Sequence, residues 1–277
     1  MYESYHYFNG PIREELWWAP YVNGFREVSL EQEQVVTIND RLPPEAQIRN
    51  AAANRSVAIN VPQYLLYLQA RAEALGARVI KARMPVEKGL ESALTEAESI
   101  AMGEGRRNID AFVNATGLGA KRLCGDEAMY PIRGQTVLVK GEAECIRTQL
   151  GDGGYNAYCI PRPGSGTTIL GGTKEADNWN EAVDPATTEK ILRQCAHIVP
   201  ELLTALDGGF EVVSVQCGLR PARKGGARVE SEFVGERQVV HAYGHAGAGY
   251  QNSIGSSRLV VKLVDGSAGH NQAMARL

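Results

Sequence analysis

The chain has 277 residues, 29 Lys and Arg against 32 Asp and Glu, a formal net charge of −3, and 44% hydrophobic with 22% charged residues. That is a globular composition, neither disordered nor collagen-like, and with no concentrated field of Lys and Arg it argues against nucleic acid as a partner. No stretch reaches the roughly 18 apolar residues of a membrane helix, so no membrane partner is expected, and the N-terminus lacks the basic and apolar regions of a secretory signal.

Eight of the nineteen aromatics (Tyr2, Tyr5, Tyr7, Phe8, Trp17, Trp18, Tyr21 and Phe25) fall in the first 25 residues, so this segment is expected to be buried or to line a cavity. Pro62 to Gly76 places Leu65, Leu68, Ala72 and Leu75 on one face, with Pro at the opening turn and Gly after the end, and reads as an amphipathic helix. A short strand is expected over 77–81 and surface helix and loop over 84–108. Asp110 to Gly117 is a compact apolar run ending on a glycine turn, the profile of a buried parallel strand whose carboxyl end reaches a ligand crevice. Strands are predicted over 136–140, 157–161 and 167–172, the last two joined as a hairpin by Pro163-Gly164-Ser165-Gly166. A helix from about Pro185 to His197 has Asp184 as its N-cap and Pro at its first position. Strands over 210–216 and 238–243 follow, then a largely buried helix over 253–264. The fold class is α/β, with a parallel β/α half and an antiparallel β half interleaved.

Gly103-Glu104-Gly105 and Gly164-Ser165-Gly166 do not follow a strand and open a helix, so neither reads as a dinucleotide turn. The segment His241 to Ser253 does join a strand to a helix, and its glycines let backbone N–H groups approach a ligand at a helix N-terminus; a plain strand–helix turn is the alternative. His241 and His245 are spaced HxxxH, but the glycines around them favour a structural role over metal binding. In Gly218-Leu219-Arg220-Pro221-Ala222-Arg223 an arginine suited to grip a carboxylate sits beside a stiffening proline, with ordinary surface salt bridges as the alternative. The five Cys (Cys124, Cys145, Cys159, Cys195 and Cys217) are odd in number without a CxxC pair, so neither a disulfide framework nor a zinc site is expected, and they read as thiols of a reducing compartment. The ending Ala275-Arg276-Leu277 follows the small-basic-Leu pattern of a peroxisomal address, with the cytoplasm as the other location.

Taken together these segments resemble the D-amino-acid oxidase family, which includes D-aspartate oxidase. The resemblance runs in order through Trp17-Trp18, Asn60-Val61-Pro62-Gln63, Val113-Asn114-Ala115-Thr116-Gly117, Arg133-Gly134-Gln135 and Tyr155-Asn156-Ala157-Tyr158. It continues through Leu170-Gly171-Gly172-Thr173, Gly218 to Arg223 and His241 to Gln251. It implies an FAD-binding sheet interleaved with an antiparallel substrate domain, the former over 56–125 and 217–277 and the latter over 1–55 and 126–216. It makes Arg220 the clamp on a substrate carboxylate, Tyr158 a second donor to it, Tyr155 a pocket-lining residue, and Gln251 a neighbour of substrate and flavin. Gly247, Ala248, Gly249 and Tyr250 would lie against the flavin, and Thr116 and Gly117 beside its ribityl–phosphate part. The reaction implied is oxidative deamination of a D-amino acid to a 2-oxo acid, ammonia and hydrogen peroxide. Lys174 and Arg162 are candidates to pair with an acidic substrate side chain; neutral D-amino acids are the favoured class.

The family's opening strand and GxGxxG turn, which hold the FAD diphosphate, have no counterpart in this sequence, so the expected sheet is a remnant of a Rossmann-like one. The alternative is therefore a flavin-free homologue that binds a carboxylate-bearing ligand or transforms it without oxidation, as an isomerase, lyase or cyclase. A homodimer is left open.

Overall fold

The computed structural model describes residues 1–10, 16–103, 109–151 and 156–274, with side chains as far as residue 266. In chain order the elements are β1 (Tyr2–Phe8), β2 (Asn23–Glu27), α1 (Glu33–Asn39), β3 (Asn50–Ser56), α2 (Val61–Ala74), α3 (Gly89–Gly103), β4 (Phe112–Asn114), α4 (Ala120–Leu123) and β5 (Met129–Lys140). There follow β6 (Ile146–Leu150), β7 (Asn156–Arg162), β8 (Thr167–Gly171), β9 (Glu175–Ala176), α5 (Pro185–Ile198), β10 (Val212–Arg223), β11 (Arg228–Val234), β12 (Arg237–Tyr243) and α6 (Gly249–Met274). Contacts divide the chain into two units. Unit 1 takes Met1–Val79, Gly134–Lys174 and Glu181–Gly218; unit 2 takes Ile80–Arg133, Glu175–Asn180 and Leu219–Leu277. Residues 56–79, expected on the flavin side, fall in unit 1, where Asn60 Nδ2 donates to the Pro163 carbonyl of the β7–β8 turn at 3.2 Å. Residues 126–133, expected on the substrate side, fall in unit 2, where the Lys224 N–H donates to the Ala128 carbonyl.

Unit 1 is built on a sheet ordered β10-β5-β8-β7-β6-β1-β3-β2, antiparallel at most pairings but parallel between β1 and β6. Alternate residues point to opposite faces. Tyr7, Ala51, Ala53, Val137, Val139, Ala157, Cys159 and Leu170 therefore share one face, packed with Val35 and Ile38 of α1 and Ile191, Cys195 and Ile198 of α5. Complete burial of a side chain the size of Leu170 or Ile198 contributes about 1.5–3 kcal/mol, so this layer is what holds the sheet. The other face carries the cross-strand row His6, Thr148, Tyr158 and Gly171, set by register. Helix α5 starts where expected: Asp184 Oδ2 accepts from the Thr187 N–H at 2.9 Å, with Pro185 at the first turn.

Unit 2 has a three-stranded sheet ordered β11-β12-β4. β4 lies parallel to β12, pairing Phe112 with Val239, Val113 with Val240 and Asn114 with His241. Helix α6 packs on β11 and β12 and is tied there by Gln238 Nε2, which donates to the Leu263 carbonyl at 3.0 Å. Ala120, Met129 and Tyr243 form a small core of their own.

Several expectations are corrected. No strand forms over 77–81. In the aromatic N-terminal segment Tyr7 is buried, but Trp17 and Tyr21 are 73% and 82% exposed, so its surface is a tilted aromatic cluster rather than a cavity wall. α2 forms where predicted but buries no residue. α6 starts at Gly249, four residues earlier than read, and Ile254, Leu259 and Val261 are exposed rather than buried. The sequence patterns do not mark β1, β2, β3, β6, β9, β11, α1 or α4. No helix among the described residues is long and apolar enough to cross a membrane.

Candidate functional site

In unit 2, β4 ends at Asn114 and turns through Thr116, Gly117 and Gly119. The buried Asn114 organises this turn: its Oδ1 accepts from the Thr116 N–H at 3.2 Å and from Thr116 Oγ1 at 2.8 Å. Because a backbone N–H only donates, the amide orientation is settled, and Nδ2 is left to donate to His241 Nδ1 and Cys124 Sγ, both at 3.1 Å. Gly117 has φ +57°, and a Cβ there would lie 3.6 Å from Pro221 Cβ. The backbone conformation favours glycine at this point, while the contact with Pro221 is an ordinary van der Waals one.

The segment Gly218 to Arg223 is the end of β10. Arg223 Nε donates to Asp126 Oδ2 at 2.8 Å, Ala222 bridges His245, and a Cβ at Gly244 would meet Arg223 Cβ at 2.8 Å. The arginine-bearing strand is thereby pinned to the glycine turn before α6. Arg220 Cδ lies 3.8 Å from the place a Cβ would take at Gly247. Gly247 and Gly249 leave that turn as bare backbone at the start of α6, where first-turn N–H groups have no partner within the helix. Tyr250 and Gln251 stand exposed in that first turn.

Behind the turns lies a continuous polar chain. Burial alone would raise the Asp126 carboxyl, but hydrogen bonds from Arg223, Tyr243 and the Ala128 N–H outweigh it and hold the carboxyl below the usual range. Tyr243 is pushed up to about 12 by burial; its hydroxyl donates to Asp126 Oδ2 and accepts from Arg228 Nη1. Burial likewise pushes Glu232 up, yet the bond from His241 and the Arg228 charge bring it below its ordinary value.

In unit 1, Tyr158 of β7 faces Gly171 of β8. A Cβ at Gly171 would lie 1.9 Å from Tyr158 Cζ, so the ring occupies the space that only glycine leaves. From the opposite face the Cys195 thiol donates to the carbonyls of both Tyr158 and Gly171 at 3.5 Å.

The structure thus gathers Arg220, Gly247, Ala248, Gly249, Tyr250 and Gln251 at one turn of unit 2. In the same unit Gly117 is set against Pro221, and Tyr158 is in unit 1. Tyr155 and Ala275-Arg276-Leu277 lie outside the described residues. His241 and His245 do not converge on a metal: His241 Nε2 bonds Glu232 and His245 Nε2 bonds Ser256. The sequence assigns no role of their own to Asn114, Asp126 and Gly171, whose contacts hold the groups around them. A buried asparagine closing an apolar strand just before Thr-Gly was the available signal for the first.

These units make a mixed α/β fold. Glycine oxidase from Geobacillus kaustophilus shares it with a TM-score of 0.68 at 20% identity, over 95% of this chain and 70% of that one. The chain belongs to the FAD dependent oxidoreductase family, which it matches over residues 12–263. It is 38% identical to D-amino-acid oxidase from Fusarium vanettenii over 217 residues, covering 76% of this chain and 58% of that one. It is 32% identical to D-amino-acid oxidase from Dictyostelium discoideum over 260 residues, covering 93% and 66%. It therefore spans less than two thirds of the length of either relative.

The residues present fit a flavin at two places. The bare backbone of Gly247 and Gly249 at the positive end of a 26-residue helix suits an electron-rich ring edge, and the glycine turn at 116–117 suits a ligand chain.

Proposed function

We propose that this chain acts with FAD in the oxidative deamination of D-amino acids: the amino acid, dioxygen and water become a 2-oxo acid, ammonium and hydrogen peroxide. One observation carries this reading. The stem of Arg220 packs against the bare Gly247 position, so a carboxylate-gripping cation stands at the turn suited to a flavin. Similarity to D-amino-acid oxidases supports the substrate class, with neutral D-amino acids as the preferred members. FAD, when bound, supplies the two-electron acceptor for the Cα–H bond.

What remains for the protein is placement. Arg220 holds the α-carboxylate through a charge-assisted bond, and the α6 N-terminus offers its partial positive charge to the ring edge; for Tyr158 a role as hydroxyl donor to a carboxylate is proposed from the sequence resemblance alone. Gln251 and Tyr250 complete the lining at the start of α6. The test is to purify the chain, record flavin absorbance, and assay peroxide over a panel of D-amino acids with FAD added. A colourless protein that gains neither absorbance nor peroxide formation would overturn the reading and favour the flavin-free alternative. Arg220→Ala is expected to lower kcat/KM by about 100-fold, the loss of a bond between charged groups worth roughly 2–3 kcal/mol, mainly through KM.

A further inference from the structure

Arg147 is the one charged residue of β6, and its side chain points to the helix-bearing face of the unit 1 sheet, back to back with Thr148 of the row that holds Tyr158. That side chain is only 11% exposed. A guanidinium carries five N–H donors, yet among the described residues Glu201 Oε1 is its only hydrogen-bond partner, reached by Nη1. Nε is sealed from solvent with nothing to donate to. Nη2 has no partner among them either but is not sealed: it opens on a recess of about 330 Å³ that Arg147 shares with Glu33, Gln34 and Thr37 of α1 and with Pro200 and Glu201. Buried polar groups ordinarily find partners, and a recess of this size takes a small molecule.

The charges around the recess choose its ligand. Arg147 supplies a positive charge, and the Glu33 and Glu201 carboxylates supply negative ones. A simple anion drawn to Nη2 would sit beside two carboxylates, and a simple cation drawn to those carboxylates would sit beside the guanidinium. A molecule with both charges on one carbon meets both demands and is neutral as a whole. We propose that this recess is a second binding site, which takes the carboxylate and the ammonium of a free amino acid. The carboxylate accepts from the unused Nη2 edge of Arg147, and the ammonium donates to Glu201 and Glu33. Gln34 holds the α1 wall in place through its Nε2, which donates to the Tyr7 hydroxyl. Every residue of this site belongs to unit 1, whereas Arg220 belongs to unit 2, and the inference does not rest on flavin or on oxidation. Occupancy ties α1 to β6 and to the Pro200 turn, so a bound amino acid stabilises unit 1 directly.

Glycine, the smallest such ligand, is titrated against the Arg220→Ala protein without added flavin, so that neither the Arg220 turn nor turnover contributes. Saturation-transfer NMR is the readout, and acetate and methylammonium are the single-charge controls. Glycine is expected to bind, and each control to bind at least about tenfold more weakly for the loss of one charge-assisted contact. Thr37→Trp, at an exposed position, fills the recess and is expected to abolish glycine binding. Glu201→Gln, which removes the charge at one end, is expected to weaken it about tenfold, and Arg147→Met to abolish it. Should Arg147→Met not fold, Thr37→Trp decides alone, with its thermal unfolding as the control, and its effect is measured in the wild-type background as well. Absence of glycine binding in the Arg220→Ala protein would overturn the proposal. So would acetate or methylammonium bound as tightly as glycine, or glycine affinity unchanged in Thr37→Trp and Glu201→Gln. Because flavin is absent throughout, failure here leaves the oxidase reading standing, and failure of the absorbance and peroxide assays leaves this site standing.

Discussion

At the scale of single residues, two positions that look incidental in the sequence control the groups that matter. Gly171 is a small residue near the end of an apolar strand, yet any side chain there would displace the Tyr158 ring, since even a Cβ would come within 1.9 Å of it. Gly171→Ala is expected to lower kcat/KM at least tenfold while the far-ultraviolet circular dichroism of the fold is retained. Steady-state kinetics with a neutral D-amino acid beside that spectrum check it. Asp126 is the second. Its carboxyl is held below the ordinary Asp value of 3.8 by Arg223, Tyr243 and the Ala128 N–H against the opposing effect of burial. A lowered folded-state value means the stabilisation is fully present above the unfolded value and is lost as pH falls through the folded one. Stability should therefore be steady above about pH 5 and decline below about pH 4, and Asp126→Asn should remove about 2 kcal/mol at pH 7 and flatten that decline. Urea unfolding at pH 7, 5 and 3 measures both. Arg220 and Tyr158 stand out in the sequence because their neighbours form an ordered pattern. The glycine opposite Tyr158 and the carboxylate behind Arg223 do not, because their roles depend on strand register and on pairs 97 and 117 residues apart in sequence.

At the scale of elements, local signals worked where the element supplies its own reason to exist. α5 has its cap, its proline and a buried stripe of Ile191, Cys195 and Ile198, and it forms over the predicted span. β3, with the sequence NAAANRS, has little strand propensity; it is a strand because β1 and β2 hydrogen-bond to its two edges, and its small residues Ala51 and Ala53 fit under α1. β11 has another reason to form: on the strand Arg228, Glu230 and Glu232 make ion pairs beside Tyr243 and His241. α2 shows the reverse failure. Its periodic leucines predict a buried face, yet Leu65, Leu68 and Leu75 are exposed, Leu65 to 50%. Leu65→Gln should accordingly change stability by no more than about 0.5 kcal/mol, where a buried leucine would cost several times that; chemical denaturation distinguishes the two values.

At the scale of the whole molecule, composition marks a globular chain and goes no further, the α/β class comes from the pattern of elements, and the family resemblance comes from the order of the motifs. Each of the two units is assembled from three stretches of chain, which pass from one to the other at residues 79, 133, 174, 180 and 218. β5 and β10 are each shared between units. This interleaving governs how the protein is made and how it is taken apart. During synthesis β4 emerges long before its partner β12, some 125 residues later in the sequence, so the parallel pairing of unit 2 waits until nearly all of the chain is available. A protease that cuts at one crossing point frees neither unit, since each stays joined to the other through the remaining crossings. Expression of either as a contiguous gene fragment would leave out strands that its sheet requires.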